Sequence, residues 1–202
     1  MMIKEIIYNA TKHLKQHGCD TPRLDAEVIL THVLKQNRAW LYIHSNDSIP
    51  EKACHQFQKY IHRRACREPV AYIIGTRAFF GLLFNVSSTV LIPRPETELL
   101  VETALQLIEQ KKYTSIIDMG TGSGCIAISL AVNAQVKIIA TDISSFALYM
   151  AKHNAICHQV MDKITFVQSD LLTGLTGNID LLVSKKEVHS LWKLNHNKGS
   201  MC

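Results

Sequence analysis

The stretch that decides the fold is IIDMGTGSGCIAISLA, residues 116–131. Ile116 to Asp118 are typical of the end of a buried strand, a glycine-rich turn follows, and an apolar segment from Cys125 predicts a helix. Its glycines leave the backbone free of Cβ atoms, so a ligand can approach closely. A strand, a glycine turn and a helix in this order favour a nucleotide site in a parallel α/β sheet. The three glycines are Gly120, Gly122 and Gly124.

Two later predicted strands also end in an acidic residue, in IIATDIS and FVQSDLL. Asp142 follows Gly120 by 22 residues, a position from which an acid reaches ribose hydroxyls in doubly wound folds. Asp170 ends the other strand, and ligands bind outside such carboxyl ends. The G-x-G-x-G spacing differs from the dinucleotide G-x-G-x-x-G, and Asp118 at the mouth of the loop would repel a pyrophosphate. The ammonium and sulfonium groups of S-adenosylmethionine would be attracted, so the pattern favours that cofactor.

Alternating strands and helices after residue 115 predict a parallel, doubly wound sheet with helices on both faces. The first third of the chain predicts amphipathic helices, the first with an apolar stripe of Ile3, Ile6, Ile7, Ala10 and Leu14. RAFFGLLFNV predicts a β-hairpin around Gly81. A helix predicted over 96–110 has its apolar face at Leu99, Leu100, Ala104 and Leu107.

Composition and charge exclude several classes of protein. The chain has 202 residues, of which 47% are hydrophobic and 19% charged, which indicates a globular protein rather than a disordered one. No apolar run reaches the length of a membrane span, and the N-terminal segment is an amphipathic helix rather than a signal peptide. Six cysteines without a C-x-x-C pair favour reduced thiols and a cytoplasmic location. Of the net charge of +5, residues 185–202 hold +3, so the nearly neutral remainder gives no reason to expect nucleic-acid binding.

Four motifs together resemble the peptide chain release factor glutamine methyltransferases, the HemK-like family. They are RRACREPVAYIIGTRAFFGLLFNV, LIPRPETELLVE, the glycine stretch with IIATDIS, and FVQSDLL. The glycine stretch alone indicates only a methyltransferase, whereas the PRPETE segment is much more specific. The resemblance runs from the N-terminal helices to Ser184. It implies transfer of a methyl group from S-adenosylmethionine to the glutamine of the Gly-Gly-Gln motif in class 1 release factors.

The resemblance also implies the domain organisation. We expect a small all-α N-terminal domain for substrate recognition over 1–67 and a β-hairpin connector over 68–95. An incomplete class I, Rossmann-like methyltransferase sheet follows over 96–184, and then a divergent tail over 185–202. The fold class is therefore α/β, and the implied partner is a class 1 release factor; the oligomeric state stays open.

Carried over by position, the resemblance assigns a cofactor site. The glycine turn would line the amino-acid and ribose portions of S-adenosylmethionine, Asp142 would hold the ribose hydroxyls, and Asp170 with Leu171 would lie beside the adenine. The segment 94–98 would lie near the cofactor and substrate entrance. The predicted cofactor-binding residues are Asp118, Gly120, Thr121, Gly122, Ser123, Gly124, Asp142, Asp170 and Leu171.

The chain departs from the family where the fourth strand of the sheet ends. The family has Asn-Pro-Pro-Tyr there, whereas this chain has Lys185-Lys186-Glu187-Val188. An asparagine accepts hydrogen bonds from the glutamine amide and orients its nitrogen, but a lysine side chain only donates. We therefore assign no catalytic residue, with Lys185 in the asparagine position, and expect this chain to be inactive. A frame-shifted or spurious tail is the favoured interpretation, a specialised C-terminus the alternative, and Ile179 to Val183 is expected to be an open sheet edge.

Other functions remain as alternatives. They are a truncated, non-catalytic protein that binds cofactor or a partner, an adenine-amino nucleic-acid methyltransferase, and a nicotinamide-dependent oxidoreductase. We expect no metal site, because a solvated helix face accounts for His13 and His17. The arginines at 63, 64 and 67 are interpreted as exposed helix-end residues, with RNA or an acidic partner surface as the less favoured contact.

Overall fold

The computed structural model describes residues 2–184 and 187–194. They fall into two compact units that divide between Gly75 and Thr76. The first unit is built from helices, and the second combines a hairpin, a five-stranded sheet and three helices. The predicted fold class, an α/β sheet preceded by a small all-α region, is confirmed.

The first unit contains five helices around one apolar core. They are α1 (Ile3–Gln16), α2 (Pro22–Leu34), α3 (Arg38–Ile43), α4 (Glu51–Ala65) and α5 (Val70–Ile74). Four residues of the predicted stripe, Ile3, Ile6, Ala10 and Leu14, are buried in α1, and the fifth, Ile7, is partly buried against the same core. They pack with apolar side chains of α2 and α4 because each helix has one apolar face to remove from water.

Three arginines in the last turn of α4 and just after it make contacts within this unit. The Nε of Arg64 lies 2.8 Å from Oδ2 of Asp25 in α2, and both side chains are largely buried. The Nε of Arg63 lies 2.8 Å from Oε2 of Glu68. Arg67 donates to a backbone carbonyl just after α1. The interpretation of these residues as merely exposed was therefore wrong for Arg64, since Asp25 draws it into the unit.

The second unit begins with a hairpin and continues as alternating helices and strands. The elements are β1 (Thr76–Phe79), β2 (Leu82–Asn85), α6 (Glu96–Lys111), β3 (Ser115–Met119), α7 (Cys125–Asn133), β4 (Lys137–Asp142), α8 (Ser145–Cys157), β5 (Ile164–Gln168), β6 (Gly177–Ser184) and β7 (Glu187–Leu194). The main sheet has the order β5-β4-β3-β6-β7, and β3 pairs in parallel with both β4 and β6. Counted within the sheet, this is the doubly wound order 3-2-1-4-5, whose switch point follows β3.

One face of the sheet carries most of the core. Buried residues of α6, α7 and α8 join alternate residues of the strands in a single cluster. The opposite face has a smaller cluster of Ile117, Ile179 and Leu182, against which Leu172 and Leu175 pack. No residue of the described helices belongs to this second cluster. The prediction of helices on both faces is therefore not met within 2–184 and 187–194.

The hairpin is part of the second unit and not a separate connector. Phe79 and Phe84 are almost completely buried in the large core cluster of that unit. Ile73 of α5 is buried instead in the helical core of the first unit. The predicted segment 68–95 is thus divided at residue 75, because its two halves bury their apolar side chains in different cores.

The predicted apolar face of α6 is correct except at Leu99. Thr97, Val101, Ala104 and Ile108 are buried, and Leu100 and Leu107 pack partly buried against the same core, whereas Leu99 is two-thirds exposed. The buried positions are spaced four, three and four residues apart, which keeps them on one helical face. A run that is apolar on more than one side does not by itself determine which side meets the sheet.

The outer edge of β6 is covered, which contradicts the predicted open edge at Ile179 to Val183. The backbone of β7 pairs antiparallel with it, from Gly177 opposite Leu194 to Ser184 opposite Glu187. The predicted tail therefore contributes a strand, and the β6 backbone has partners on both sides. Lys185, Lys186 and residues 195–202 lie outside the described residues.

Candidate functional site

The glycine turn lies at the carboxyl end of β3 and is fastened to the end of β4. The backbone N–H groups of Gly120 and Thr121 donate to the carbonyl of Thr141, at 2.9 and 2.8 Å. The N–H of Gly124 donates to the carbonyl of Thr121 at 2.9 Å. These bonds close the loop before α7 begins, so the turn stands at the switch point of the sheet, where doubly wound folds bind ligands.

The glycines in this turn are required for two different reasons. All three have positive φ, at +73°, +57° and +81° in chain order. A Cβ on Gly120 or Gly122 would meet nothing within 4 Å, so open space lies beside the backbone there. A Cβ on Gly124 would lie 2.9 Å from Cδ1 of Ile128 and 3.1 Å from Cβ of Ala151. The first two glycines therefore leave room for a ligand, and the third allows α8 to pack against the loop.

Asp142 ends β4 and reaches the glycine turn. Its Oδ2 accepts from the N–H of Gly122 at 2.9 Å, and its Oδ1 accepts from the N–H of Ser144 at 3.0 Å. No cationic side chain pairs with it among residues 2–184. The structure thus brings the predicted acid and the predicted loop together, and it leaves the negative charge of Asp142 uncompensated.

Asp118 is not at the mouth of the loop, contrary to the sequence-based expectation. The residue is fully buried, and its Oδ2 accepts from the hydroxyl of Thr121 at 2.7 Å and the N–H of Ala127 at 3.2 Å. Its Oδ1 has no hydrogen-bond partner among the described residues. Burial raises the pKa of Asp118 to about 6, although these two hydrogen bonds oppose the rise. Asp118, the fourth residue of β3, therefore supports the loop from beneath, because this strand is covered on both faces and the Asp118 side chain points inward.

Two other predicted site residues of the turn are also buried. Thr121 and Ser123 are only 4% and 2% exposed. The hydroxyl of Thr121 is used by Asp118, and the Oγ of Ser123 has no partner among the described residues. Their side chains point into the protein, so only their backbone atoms are available to line an adjacent site.

The end of β5 lies beside Asp142, as predicted. The N–H of Ser169 donates to the carbonyl of Asp142 at 3.1 Å, and the hydroxyl of Thr141 lies 3.4 Å from the carbonyl of Leu171. Asp170 and Leu171 follow directly, and both are exposed. Leu171 has φ +54°, a conformation that is uncommon for a leucine. An exposed apolar side chain held in this conformation is available to a ligand at the carboxyl edge.

Two further attachments were missed by the sequence analysis. Asn154 of α8 bonds both Asn85 of the hairpin and the carbonyl of Ser123. Glu98, in the first turn of α6, accepts from the N–H of Phe80 at 2.9 Å. The predicted entrance segment 94–98 is therefore joined to the hairpin. An asparagine inside a predicted helix was the one available signal, because asparagine disfavours helix interiors.

Metal sites, membrane-spanning helices and cavities are the other features that could indicate a function. No group of three or more histidine, cysteine or acidic side chains in 2–184 is placed to hold a metal ion. None of the described helices is long and apolar enough to cross a membrane. Two cavities of about 320 and 340 Å³ lie in the first unit, and none of the predicted site residues lines either of them.

Comparisons with known proteins agree with the division of the chain. A profile of the PrmC N-terminal domain matches residues 5–75, and a profile of the ribosomal protein L11 methyltransferase (PrmA) matches residues 95–194. The release factor glutamine methyltransferase of Nitratidesulfovibrio vulgaris is 40% identical over 185 residues, which cover 90% of this chain and 62% of that protein. The enzyme of the same name from Chlorobaculum tepidum is 39% identical over 198 residues, with 90% and 66% covered.

The chain belongs to the release factor glutamine methyltransferase family. Residues 95–194 also match the profile of a different methyltransferase, so the second unit alone does not distinguish the two names. The helical unit and the full-length relatives do distinguish them. The chain spans 62% and 66% of the lengths of these two relatives.

One solved structure is less similar to this chain than these two relatives are. The ribosomal protein L11 methylase of Lactobacillus delbrueckii subsp. bulgaricus is 27% identical and covers 49% of this chain and 50% of its own, with a TM-score of 0.43. The PrmA profile runs to residue 194, so it includes the residues of β7.

Proposed function

We propose that the longer protein represented by this chain methylates the side-chain amide of the glutamine in the Gly-Gly-Gln motif of class 1 release factors. S-adenosylmethionine is the methyl donor, and the reaction takes place in the cytoplasm, where translation ends. The support comes from relatives named release factor glutamine methyltransferase that align with nine-tenths of the chain. The helical unit, which matches the PrmC N-terminal domain, is assigned to recognition of the release factor.

The observation that carries the cofactor assignment is the uncompensated carboxylate of Asp142 beside an open glycine turn. Gly122 donates to this carboxylate, and open space lies where a Cβ of Gly120 or Gly122 would stand. S-adenosylmethionine has an ammonium and a sulfonium group, so a site with unpaired negative charge attracts it. A pyrophosphate would be repelled by the same charge. The residues present therefore fit this cofactor better than a nicotinamide dinucleotide.

Each proposed residue has a separate task. The backbone of 120–124 faces the amino-acid and ribose portions of the cofactor, and Asp142 accepts hydrogen bonds from the ribose hydroxyls. Asp170 and Leu171 lie on the adenine side. Asp118, Thr121 and Ser123 hold the loop in shape through buried contacts. The bound cofactor supplies an electrophilic methyl group on sulfur, and the protein fixes its orientation.

Methyl transfer to an amide also requires a group that orients the acceptor nitrogen. The amide lone pair is delocalised into the carbonyl, so an unassisted amide is a poor nucleophile. The sequence has Lys185-Lys186-Glu187-Val188 where the family has Asn-Pro-Pro-Tyr, and a lysine cannot accept hydrogen bonds from the amide. We therefore expect residues 1–202 to bind cofactor and to transfer no methyl group.

Calorimetry with the chain of residues 1–202 tests the cofactor assignment. We expect binding of S-adenosylmethionine and its demethylated product, and no heat with a nicotinamide dinucleotide. Asp142→Ala should weaken binding by about 1–3 kcal/mol, the range for unpaired buried polar groups. Asp162→Ala is the matched control, because this exposed acid lies at the opposite, amino end of β5. Binding of the dinucleotide alone, or equal affinities for wild type and Asp142→Ala, would contradict the assignment.

Incubation with a class 1 release factor and methyl-labelled cofactor tests the expected inactivity. A full-length family member serves as the positive control. Label incorporated by residues 1–202 above background would show that Lys185 does not prevent transfer. Restoring Asn-Pro-Pro-Tyr at 185–188 in a chain extended to the length of the relatives should then recover transfer.

A further inference from the structure

Asn154 occupies a position that local helix propensity does not explain. It lies inside α8, three residues before the last residue of that helix, and it is completely buried. Asparagine is disfavoured in helix interiors because its side chain competes for backbone hydrogen bonds. A buried amide without partners would also destabilise the fold. Its presence must therefore be explained by contacts outside α8.

The side-chain amide of Asn154 makes four hydrogen bonds to two other segments. Its Oδ1 accepts from the backbone N–H of Asn85 at 2.8 Å and from the side-chain Nδ2 of Asn85 at 3.0 Å. Its Nδ2 donates to the carbonyl of Asn85 at 3.0 Å and to the carbonyl of Ser123 at 2.8 Å. An asparagine amide has two donor hydrogens and an acceptor oxygen with two lone pairs, so its capacity is fully used.

These bonds connect the hairpin to the glycine turn. Asn85 is the last residue of β2, and Asn154 pairs with its backbone N–H and carbonyl as a neighbouring strand would. Ser123 is buried in the turn, and its Oγ has no partner among the described residues. Its side chain therefore does not anchor it by a hydrogen bond, and the carbonyl bond to Asn154 holds this part of the loop.

A second contact from the same face of α8 adjoins the first. Ala151 precedes Asn154 by three residues, so both lie on one side of the helix. A Cβ on Gly124 would stand 3.1 Å from the Cβ of Ala151, which shows how closely α8 approaches. Two successive loop residues, Ser123 and Gly124, are thus located by one helical face.

The hairpin is in turn held at its other end. The N–H of Phe80, in the turn between β1 and β2, donates to Oε1 of Glu98 in α6. Near its second strand, His158 Nε2 lies 2.9 Å from the carbonyl of Leu83. The hairpin is therefore a fixed part of the second unit, and it provides a rigid anchor for the amide of Asn154.

We propose that Asn154 is a positioning residue, which keeps the glycine turn in its cofactor-binding conformation by joining the Ser123 carbonyl to the hairpin. The proposal rests on the proposed function, since it takes the turn as the cofactor site. Asn154 does not itself contact the cofactor in this view. Its effect reaches the ligand through the backbone of residues 122–124, whose geometry decides where their N–H groups point.

Cofactor calorimetry on residues 1–202 gives the first test. Asn154→Ala should weaken binding of S-adenosylmethionine about tenfold or more, because two carbonyls and an N–H lose their buried partner. The matched control is Asn133→Ala. In the wild type, Nδ2 of Asn133 donates to the carbonyl of Ser129 at 2.8 Å, at the end of α7 that is remote from the glycine turn. This control should change the affinity by less than about twofold, as its contact lies outside the loop. Equal affinities of wild type and a folded Asn154→Ala variant would overturn the proposal.

Amide hydrogen exchange without cofactor gives a test that does not depend on the proposed function. Asn85→Ala removes the side-chain hydrogen bond to Asn154 and keeps the two bonds that Asn154 makes to the backbone of residue 85. It is therefore the variant to measure if Asn154→Ala does not fold. Both variants should speed exchange of the Gly122 and Gly124 amides, by about threefold or more in Asn85→Ala, while amides of α6 are unchanged. Unchanged exchange in the turn would refute the positioning role. If wild type binds no cofactor but exchange responds as expected, the proposed function fails and the mechanical link stands.

Discussion

The two units hold their buried carboxylates in opposite ways. In the first unit, Arg64 pairs with Asp25, and Arg23 and Arg38 pair with Glu27. Burial raises the pKa of Glu27, but hydrogen bonds from the two arginines and Tyr42 outweigh that effect and leave the pKa below its ordinary value. The ion pairs found among residues 2–184 all lie in this unit.

In the second unit, neutral groups hold the carboxylates. Asp142 accepts from two backbone N–H groups, and Asp118 accepts from a hydroxyl and one N–H. Asp180 accepts from the backbone of Thr114 and Ser115, which lowers its pKa. Neutral donors orient a carboxylate but leave its net charge in place.

The difference separates a scaffold from a binding site. The charge of a carboxylate paired with arginine is already neutralised, so it does not attract a cationic ligand. Such a carboxylate contributes to shape and stability instead. A carboxylate oriented by backbone amides is preorganised and still attracts a cation. The first unit is therefore suited to present a fixed surface, and the carboxyl edge of the second is suited to a cationic cofactor.

The largest expected effect concerns the arginine pairs. Arg64→Ala should destabilise the first unit by about 3–5 kcal/mol, because it leaves the buried Asp25 unpaired. The side chains of this pair are only 12% and 9% exposed. Arg63→Ala is the matched control and should cost about 0–1 kcal/mol, because the Arg63 to Glu68 pair is partly solvated. Native-state hydrogen exchange reports each unit separately, and similar losses for the two variants would contradict the distinction.

The next effect concerns the glycine turn. Gly124→Ala should destabilise the second unit by about 2–4 kcal/mol, from positive φ and from contact with Ile128 and Ala151. Gly120→Ala should cost only about 1–2 kcal/mol, since its Cβ meets open space. Denaturant unfolding checks the order. A larger loss for Gly120→Ala would show that open space is not present beside it.

The sequence was sufficient for the order of helices and strands as far as β6 and for part of the site. Consecutive strands that end in acids, with a glycine turn after the first, place Asp142 and Gly122 at one edge, and the structure joins them by a hydrogen bond. These inferences succeed because parallel strands share the direction of their carboxyl ends. The strands as far as β6 were also predicted, and β3 extends the predicted Ile116 to Asp118 by one residue at each end.

Other features depended on tertiary contacts that a pattern does not contain. A strand buried on both faces does not reveal where Asp118 points, so its burial beneath the loop was missed. The helix α6 is apolar on more than one side, so Leu99 was wrongly assigned to its buried face. The partner of β6 was missed because 187–194 lies beyond the family resemblance, yet its backbone completes the ladder. Asn154 is a single polar residue whose partners lie far away along the chain.

A smaller effect is expected in the pH dependence, with opposite signs in the two units. The pKa of Asp118 is about 6 in the folded protein against an ordinary 3.8, so the folded state binds the proton more tightly. The stability this contributes is complete below the ordinary pKa and is lost as pH rises from about 4 to 6, on the order of 1–3 kcal/mol. Glu27 has a lowered pKa, so its contribution is present above 4.5 and is lost as pH falls below that value.

Hydrogen exchange between pH 4 and 7 measures this contrast, after correction for the intrinsic pH dependence of exchange. In the wild type, the stability of the second unit should fall between pH 4 and 6. In Asp118→Asn, the same unit should show a much smaller fall. The first unit should behave as in wild type. An Asp118→Asn variant that declines as steeply as wild type would mean that Asp118 ionises without difficulty in its buried position.

The smallest expected effect concerns Leu171. Its φ of +54° costs about 1–2 kcal/mol for a side chain with a Cβ, whereas a glycine there loses about 0.5–1 kcal/mol of chain entropy on folding. Leu171→Gly should therefore stabilise the second unit by roughly 0–1 kcal/mol, since the exposed side chain contributes little packing. Because the exposed Leu171 side chain adds strain and little packing, contact with a bound ligand would explain its presence. The same variant should therefore weaken cofactor binding about threefold or more.

Gln159→Gly provides the matched control for this last prediction. Gln159 is exposed, has φ +58° and follows the end of α8, so it shares the backbone conformation but lies outside the proposed site. Both variants should gain similar stability in denaturant unfolding, and only Leu171→Gly should lose affinity in calorimetry. If both retain wild-type affinity, Leu171 has no part in binding and its strain has no functional explanation. If only Leu171→Gly is destabilised, the Leu171 side chain packs in the folded protein. Leu171 would then stabilise the second unit and would not belong to the binding edge.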